Sequence, residues 1–172
     1  MRDKRFVAVH RGGPLTKAHH HQLIRWATEC SEHVLPLIGG NIDKRLIYAL
    51  YVAKEWEKVT VGEARKASLG AIAVANESSN PIITAVARSI GHAVATAHMA
   101  DHSIGAAEYA LKAVKISGKS IEEERKWQDE KLTPDISELI VTAREKRNLN
   151  TKINRQKSYW QAVRDSNPWP VD

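Results

Sequence analysis

Apolar residues recur every three or four positions along most of the chain, and turn formers separate the periodic stretches. Leu23, Trp26, Ala27, Cys30 and Val34 mark the inner face of a first helix, with Thr16 as its N-cap and a stop near Pro36 and Gly39-Gly40. A second helix starts at Asp43 and turns Leu46, Leu50, Ala53 and Trp56 inward. Thr60-Val61-Gly62-Glu63 is a capping box, in which Thr and Glu satisfy each other's orphan backbone donors, and it opens a third, alanine-rich helix. Asn80-Pro81 puts a cap before a proline at the first helical position and starts a fourth helix that runs to about Ala100. Asp101, His102 and Ser103 then either cap a new helix ending at Gly118 or lie inside a continuous rod of about 55 Å. Such a rod overruns a domain of this size, so a break is expected. Ser120-Ile121-Glu122-Glu123 reads as a second capping box, and Thr133-Pro134 starts a last helix with Ile136, Leu139, Ile140 and Ala143 inside. No β-branched alternation is long enough for a sheet. The expected fold is all-α, a single-domain bundle of about seven helices packed through Ala/Gly-rich faces.

Both ends depart from this pattern. Residues 1–15 form a charged, irregular lead that closes in the turn-forming run His10-Arg11-Gly12-Gly13-Pro14. After Arg147 the periodicity weakens, with Asn148, Asn150, Asn154 and Ser158 among Lys and Arg, which divides the chain into a helical domain, 1–147, and a basic, aromatic-containing C-terminal tail, 148–172. Within the helical part, Ser68-Leu69-Gly70, Ser89-Ile90-Gly91 and Ser103-Ile104-Gly105 repeat one pattern. A mid-helix glycine costs about 1 kcal/mol relative to alanine unless close packing compensates, so these positions are expected to be helix crossings.

Charge sharpens the division. The formal net charge of the 172 residues is +6, and from Arg144 onward seven Lys/Arg face three Asp/Glu, whereas the remainder is nearly balanced at 19 against 17. An excess held at one end can attract an acidic partner or a nucleic acid and says little about the fold. A single cysteine, Cys30, excludes an internal disulfide and reads as core, which fits a reducing cytoplasm. The N-terminus has no apolar signal segment, and no stretch is long enough to span a bilayer, so a cytoplasmic protein with no membrane partner is expected.

Candidate chemistry concentrates between Ser89 and Gly105. His98 and His102 stand at i and i+4, the spacing by which one helix face offers two imidazoles to zinc, and Asp101 lies between them in the order of an inverted zincin motif. With His92 after a helix break, these residues make a metal-dependent hydrolase one reading. The commoner fate of such groups is hydrogen bonding to one another and to helix ends across tight interfaces. His19-His20-His21 reads as a solvated helix start, and His33 as a helix-end group favoured by the dipole. His10-Arg11-Gly12-Gly13 has backbone donors and a guanidinium for an anion but lacks the lysine and spacing of a P-loop. No nucleophile has a base fixed beside it, so no catalytic residue and no cofactor are expected. The basic tail with Tyr159 and Trp160 offers a second alternative, nucleic-acid binding through phosphate neutralisation and base stacking.

The runs Met1–Ala8, His10–Leu15 and Glu32–Leu37, and above all Gly91-His92-Ala93-Val94-Ala95-Thr96-Ala97-His98-Met99-Ala100-Asp101-His102-Ser103, resemble immunity proteins of bacterial polymorphic toxin systems. The resemblance extends from the N-terminus to about Arg147. It implies an all-helical, non-enzymatic cytoplasmic protein that protects its bacterial producer by binding a cognate toxin, and it supplies no catalytic residues. A surface for such a partner must be exposed, charged and aromatic, and the Ala-rich centre offers little of that. The expected contact residues are therefore peripheral: Arg2, Arg5 and Arg11 in the lead, and Arg155, Lys157, Tyr159 and Trp160 in the tail. The lead takes precedence because it lies inside the resemblance. Self-association into a homo-oligomer is left open.

Overall fold

The computed structural model describes residues 3–166, the side chain of Trp160 excepted. Seven α-helices occur among them: α1 (Lys17–Val34), α2 (Lys44–Lys54), α3 (Val61–Glu77), α4 (Pro81–Ala95), α5 (His102–Ile116), α6 (Ile121–Glu130) and α7 (Pro134–Asp165). The described residues hold no β-strand, only an isolated bridge between Ala8 and Leu15. The protein is all-α, as its periodicity predicts. Compact packing divides it after Ser137, so that α1 to α6 with the first residues of α7 form one unit and the rest of α7 belongs to a second.

The caps act largely as expected. Thr16, Asp43, Asn80 and Ser120 each accept a backbone N–H in the first turn of their helix. The Thr60 box is complete, with Glu63 N–H donating to Thr60 Oγ1 at 3.2 Å and Thr60 N–H to Glu63 Oε2 at 2.7 Å. Only the forward bond of the Ser120 box forms, Glu123 N–H donating to Ser120 Oγ at 3.2 Å, and Ser120 Oγ itself donates to Glu122 Oε2 at 3.3 Å. The break between α4 and α5 is present but earlier than the proline-to-alanine count suggests. Helix α4 ends at Ala95, Thr96 Oγ1 donates back to the His92 carbonyl at 2.9 Å, and α5 begins at His102.

Helix α4 is the centre of the first unit and packs on α1, α2, α3 and α5. Ala85, Val86, Ala87, Ser89, Ile90, Gly91, Ala93 and Val94 are all buried, as expected of a helix covered on several sides. The Ser-aliphatic-Gly repeat explains how its neighbours come so close. Ser68 Oγ donates to the Gly91 carbonyl at 3.1 Å, and Ser89 Oγ to the Ala106 carbonyl at 2.8 Å, so a serine of one copy reaches backbone at or beside the glycine of the next. Ser31 Oγ of α1 joins at 2.7 Å from Ser89 Oγ, where Ala27, Ala93 and Ala106 meet fully buried. A Cβ at Gly91 would lie 3.2 Å from Ile72 Cγ1, and one at Gly105 only 2.8 Å from His92 Nδ1. Gly70 differs, since its nearest neighbour would be Arg45 Cβ at an ordinary 3.8 Å.

Helix α6 is anchored from α1 and α5. The Trp26 indole N–H donates to the Gln128 carbonyl at 2.8 Å, and Gln128 Nε2 donates to the Ala107 carbonyl at 3.1 Å. Cys30 is buried in the core. Along α7, Ile136, Ile140 and Ala143 are buried, whereas each described side chain from Asn148 to Ser166 is exposed. The stretch after Arg147 is helical through Asp165, and its weak periodicity reflects the absence of a buried face there.

The two kinds of glycine predict opposite mutational effects. Gly70→Ala should raise stability by about 0.5–1 kcal/mol through helix propensity. Gly105→Ala should lower it by roughly 1 kcal/mol net, because displacement of the His92 ring outweighs the same gain. Chemical denaturation of both variants measures the two shifts directly.

Candidate interaction surfaces and histidine sites

The lead is not a loose arm. Phe6 and Leu15 are buried, and the backbone between them closes on itself through Val9 N–H to the Leu15 carbonyl at 2.9 Å, Leu15 N–H to the Val7 carbonyl at 3.0 Å and Gly13 N–H to the Ala8 carbonyl at 3.1 Å. Gly12 has φ +80°, and a Cβ on Gly13 would sit 2.0 Å from the Val7 carbonyl oxygen, so the turn depends on both glycines. Arg5 folds back onto Asp3 at 2.7 Å, while Arg11 is exposed at the edge of the turn.

Beneath the lead lies a cavity of about 170 Å³, whose described lining includes His10, Arg11, His20 and His98 along with Phe6 and Val61. His20 is buried, and its Nε2–H donates to the Thr96 carbonyl at 2.6 Å. Burial pushes the His20 imidazole pKa down against the opposing pull of that hydrogen bond, and the nearby His21, His10 and Arg11 push it the same way as burial. His98 Nε2 is buried with no hydrogen-bond partner among the described residues. Desolvation lowers the His98 pKa as well, helped by the Arg11 charge. Both rings are therefore held toward their neutral form.

The three consecutive histidines are not a solvated helix start. His20 turns into the core, and His21 stands edge-on to Trp56 at 4.5 Å between centroids with Nε2 3.2 Å from Glu57 Oε1. Consecutive helical positions point in different directions, and here two of the three directions meet protein. His33 also does more than face a helix end. It stacks on Trp127 at 3.7 Å and 6°, and its Nδ1 is 2.8 Å from the buried Glu124 carboxylate.

The Ser89–Gly105 cluster divides. His92 Nδ1 and His102 Nδ1 are 2.8 Å apart, a bond in which one nitrogen carries the proton and the other the lone pair, and the His92 ring stacks on Tyr109 at 5.3 Å. His98 faces the lead instead, and Asp101 sits half-buried in the turn before α5. Among the described residues no three His, Cys, Asp or Glu side chains gather as a metal ion requires. The i, i+4 spacing of His98 and His102 does not place them on one helical face, because the helix is interrupted between them.

A larger concavity of about 490 Å³ lies between α1 and α2, lined among others by Arg25, Glu29, Glu32, Ala53, Lys54 and Trp56. Lys54 pairs with Glu32, and Arg25 with Glu29 at 3.2 Å. Trp56, expected on the inner face of α2, falls just past its end and is half-buried. Ile47 and Tyr51 are 49% and 59% exposed, and with Lys54 they form an i, i+4, i+7 stripe beside the groove. Ile47 and Tyr51 are apolar positions that fall off the Leu46-Leu50-Ala53 stripe, the one mark of this face in the sequence.

A family model described as Imm-5 like putative immunity protein matches residues 13–135. The chain belongs to that family. No curated protein and no solved structure matches the chain. The Imm-5 like match contains the α1–α2 groove and His20, His92, His98, Asp101 and His102, but not Arg5 or Arg11 of the lead, nor Arg155, Lys157 or Tyr159, which are exposed on α7. Arg2 and the Trp160 side chain lie outside the described residues. No helix among the described residues is long and apolar enough to cross a membrane.

The buried imidazoles predict a pH dependence. A group whose pKa is lower folded than unfolded takes up its proton preferentially in the unfolded chain, so its stability contribution is full above the ordinary imidazole range and is lost as pH falls through it. Melting temperature should therefore drop from about pH 7.5 to about pH 5.5, and a His20→Gln, His98→Gln double variant should show a smaller drop. Equal slopes in thermal melts across that window would show that other groups carry the dependence.

Proposed function

We propose that this protein neutralises a cognate bacterial toxin in the cytoplasm by binding it without catalysis, and that the α1–α2 face is the contact surface. The observation that carries the assignment is the exposed Ile47 and Tyr51 beside a groove containing Trp56 and Arg25, all inside the stretch that matches the family. Tyr, Trp and Arg are the residue types that dominate interface energetics when a partner removes their water. The groove's own ion pairs, Lys54 with Glu32 and Arg25 with Glu29, lie where a partner can exchange its charges for internal ones. Arg11 in the lead and Arg155, Lys157 and Tyr159 on α7 are secondary contacts in this proposal, adding attraction toward an acidic toxin surface.

The test co-expresses the product of the neighbouring gene with the parent and with variants whose folding is checked by thermal melt. Tyr51→Ala and Arg25→Ala should each weaken binding by about tenfold, and together abolish protection of growth. Parent-like binding in the double variant, with loss in Arg11→Ala or in a chain ending at Arg147, would move the interface to the lead or to α7.

A further inference from the structure

We infer that the cavity beneath the N-terminal lead is a binding site for an oxyanion, a phosphate or carboxylate group held between Arg11 and His98. The chemistry of the lining is one-sided. His10, Arg11, His20 and His98 are its titratable groups, the rest being Phe6, Val7, Ala8, Val61, Ala97 and Ala100; with the His20 N–H given to the Thr96 carbonyl, the described wall offers up to three cationic or N–H donating side chains, His10, Arg11 and His98, and no carboxylate. An apolar wall around donors of one sign lowers the local dielectric and strengthens each charge-assisted bond to an anion.

The wall is also held in place. His20 is fixed by its 2.6 Å bond to the Thr96 carbonyl, and the turn carrying His10 and Arg11 is cross-linked by Arg11 N–H to the Ala8 carbonyl at 2.9 Å and Gly12 N–H to the Val9 carbonyl at 2.9 Å. His98 Nε2 is buried and has no partner among the described residues, which is the condition of a group whose partner comes from elsewhere, and in its Nε2–H tautomer it donates to an anion. On its other side His98 borders a second cavity that includes Lys17 and Glu57, whose carboxylate lies 3.2 Å from His21 Nε2 and 4.0 Å from Lys17 Nζ and makes no hydrogen bond to His98 Nε2. About 170 Å³ holds roughly five waters at their liquid volume, room for a carboxylate or a tetrahedral oxyanion together with a water. His10 and Arg11 are exposed and form the mouth.

Protein alone, titrated with sodium phosphate and separately with sodium acetate at constant ionic strength set by chloride, tests this site independently of any toxin. Imidazole carbon–proton resonances of His98 and His20 should shift saturably with at least one of the two anions. A response to acetate assigns the site to a carboxylate, such as an acidic side chain of a partner, and a response confined to phosphate assigns it to a tetrahedral anion. The apparent affinity should fall roughly tenfold in Arg11→Ala, whose truncated side chain is exposed, and fall again when His98→Leu removes the second donor. The site is refuted if neither anion gives saturable shifts, or if Arg11→Ala responds like the parent.

Discussion

Where α4 crosses α3 and α5, the backbones approach until a methyl group at Gly91 or Gly105 meets Ile72 or the His92 ring. Such closeness removes water from the interface, and buried polar groups left there must be satisfied from across it. The serines of the repeat meet that demand by donating to the Gly91 and Ala106 carbonyls, and Ser31 ties α1 into the same junction. Glycine and serine act as a pair in this arrangement. The first admits the neighbour, and the second binds it once admitted. Within the first unit, α4 carries from this junction to the Thr96 carbonyl that holds His20 and to the turn that carries His98.

The same logic shows which parts of the chain were legible beforehand. Thr16, Asp43, Thr60, Asn80 and the Leu23-Trp26-Cys30-Val34 stripe could be read because capping and amphipathic burial are local, encoded within one or two turns. The close crossings at Gly91 and Gly105 were legible for a related reason, since an uncompensated glycine inside a helix is costly enough to demand an explanation, whereas Gly70, of the same pattern, has only ordinary contacts. What could not be read was the pairing of polar groups distant in sequence. His20 with Thr96, His33 with Glu124 and Trp26 with Gln128 are separated by 76, 91 and 102 residues, and no local pattern marks them. The histidine triplet misleads for this reason, because a polar run at a helix start looks solvated until a distant carbonyl claims one member. The groove was hidden by a smaller effect. Trp56 satisfies the inward period of α2 only if that helix lasts one more turn than it does.

The first unit sets different histidine surroundings side by side. His33 is given a buried carboxylate and a stacked indole, whereas His20 and His98 are surrounded by alanine, aromatic carbon and a guanidinium. Burial and like charge disfavour the protonated ring, which is why His20 and His98 are held toward neutrality. The lead is what creates the second environment. Its two glycines let residues 7 to 15 fold onto the unit tightly enough that Arg11 is delivered to the cavity that His98 borders.

The bond from Trp26 to the Gln128 carbonyl has a kinetic consequence. The contacts from Ser68 to Gly91 and from Ser89 to Ala106 close loops of 23 and 17 residues, but joining Trp26 to Gln128 closes one of 102. Loop-closure entropy makes that last step costlier by on the order of 1.5 kcal/mol if it is taken first, and by far less once α3, α4 and α5 have already shortened the path between its ends. The order of assembly this favours is inside to outside, with the small-residue crossings as nucleus and the indole hydrogen bond as the step that locks the two ends of the unit together.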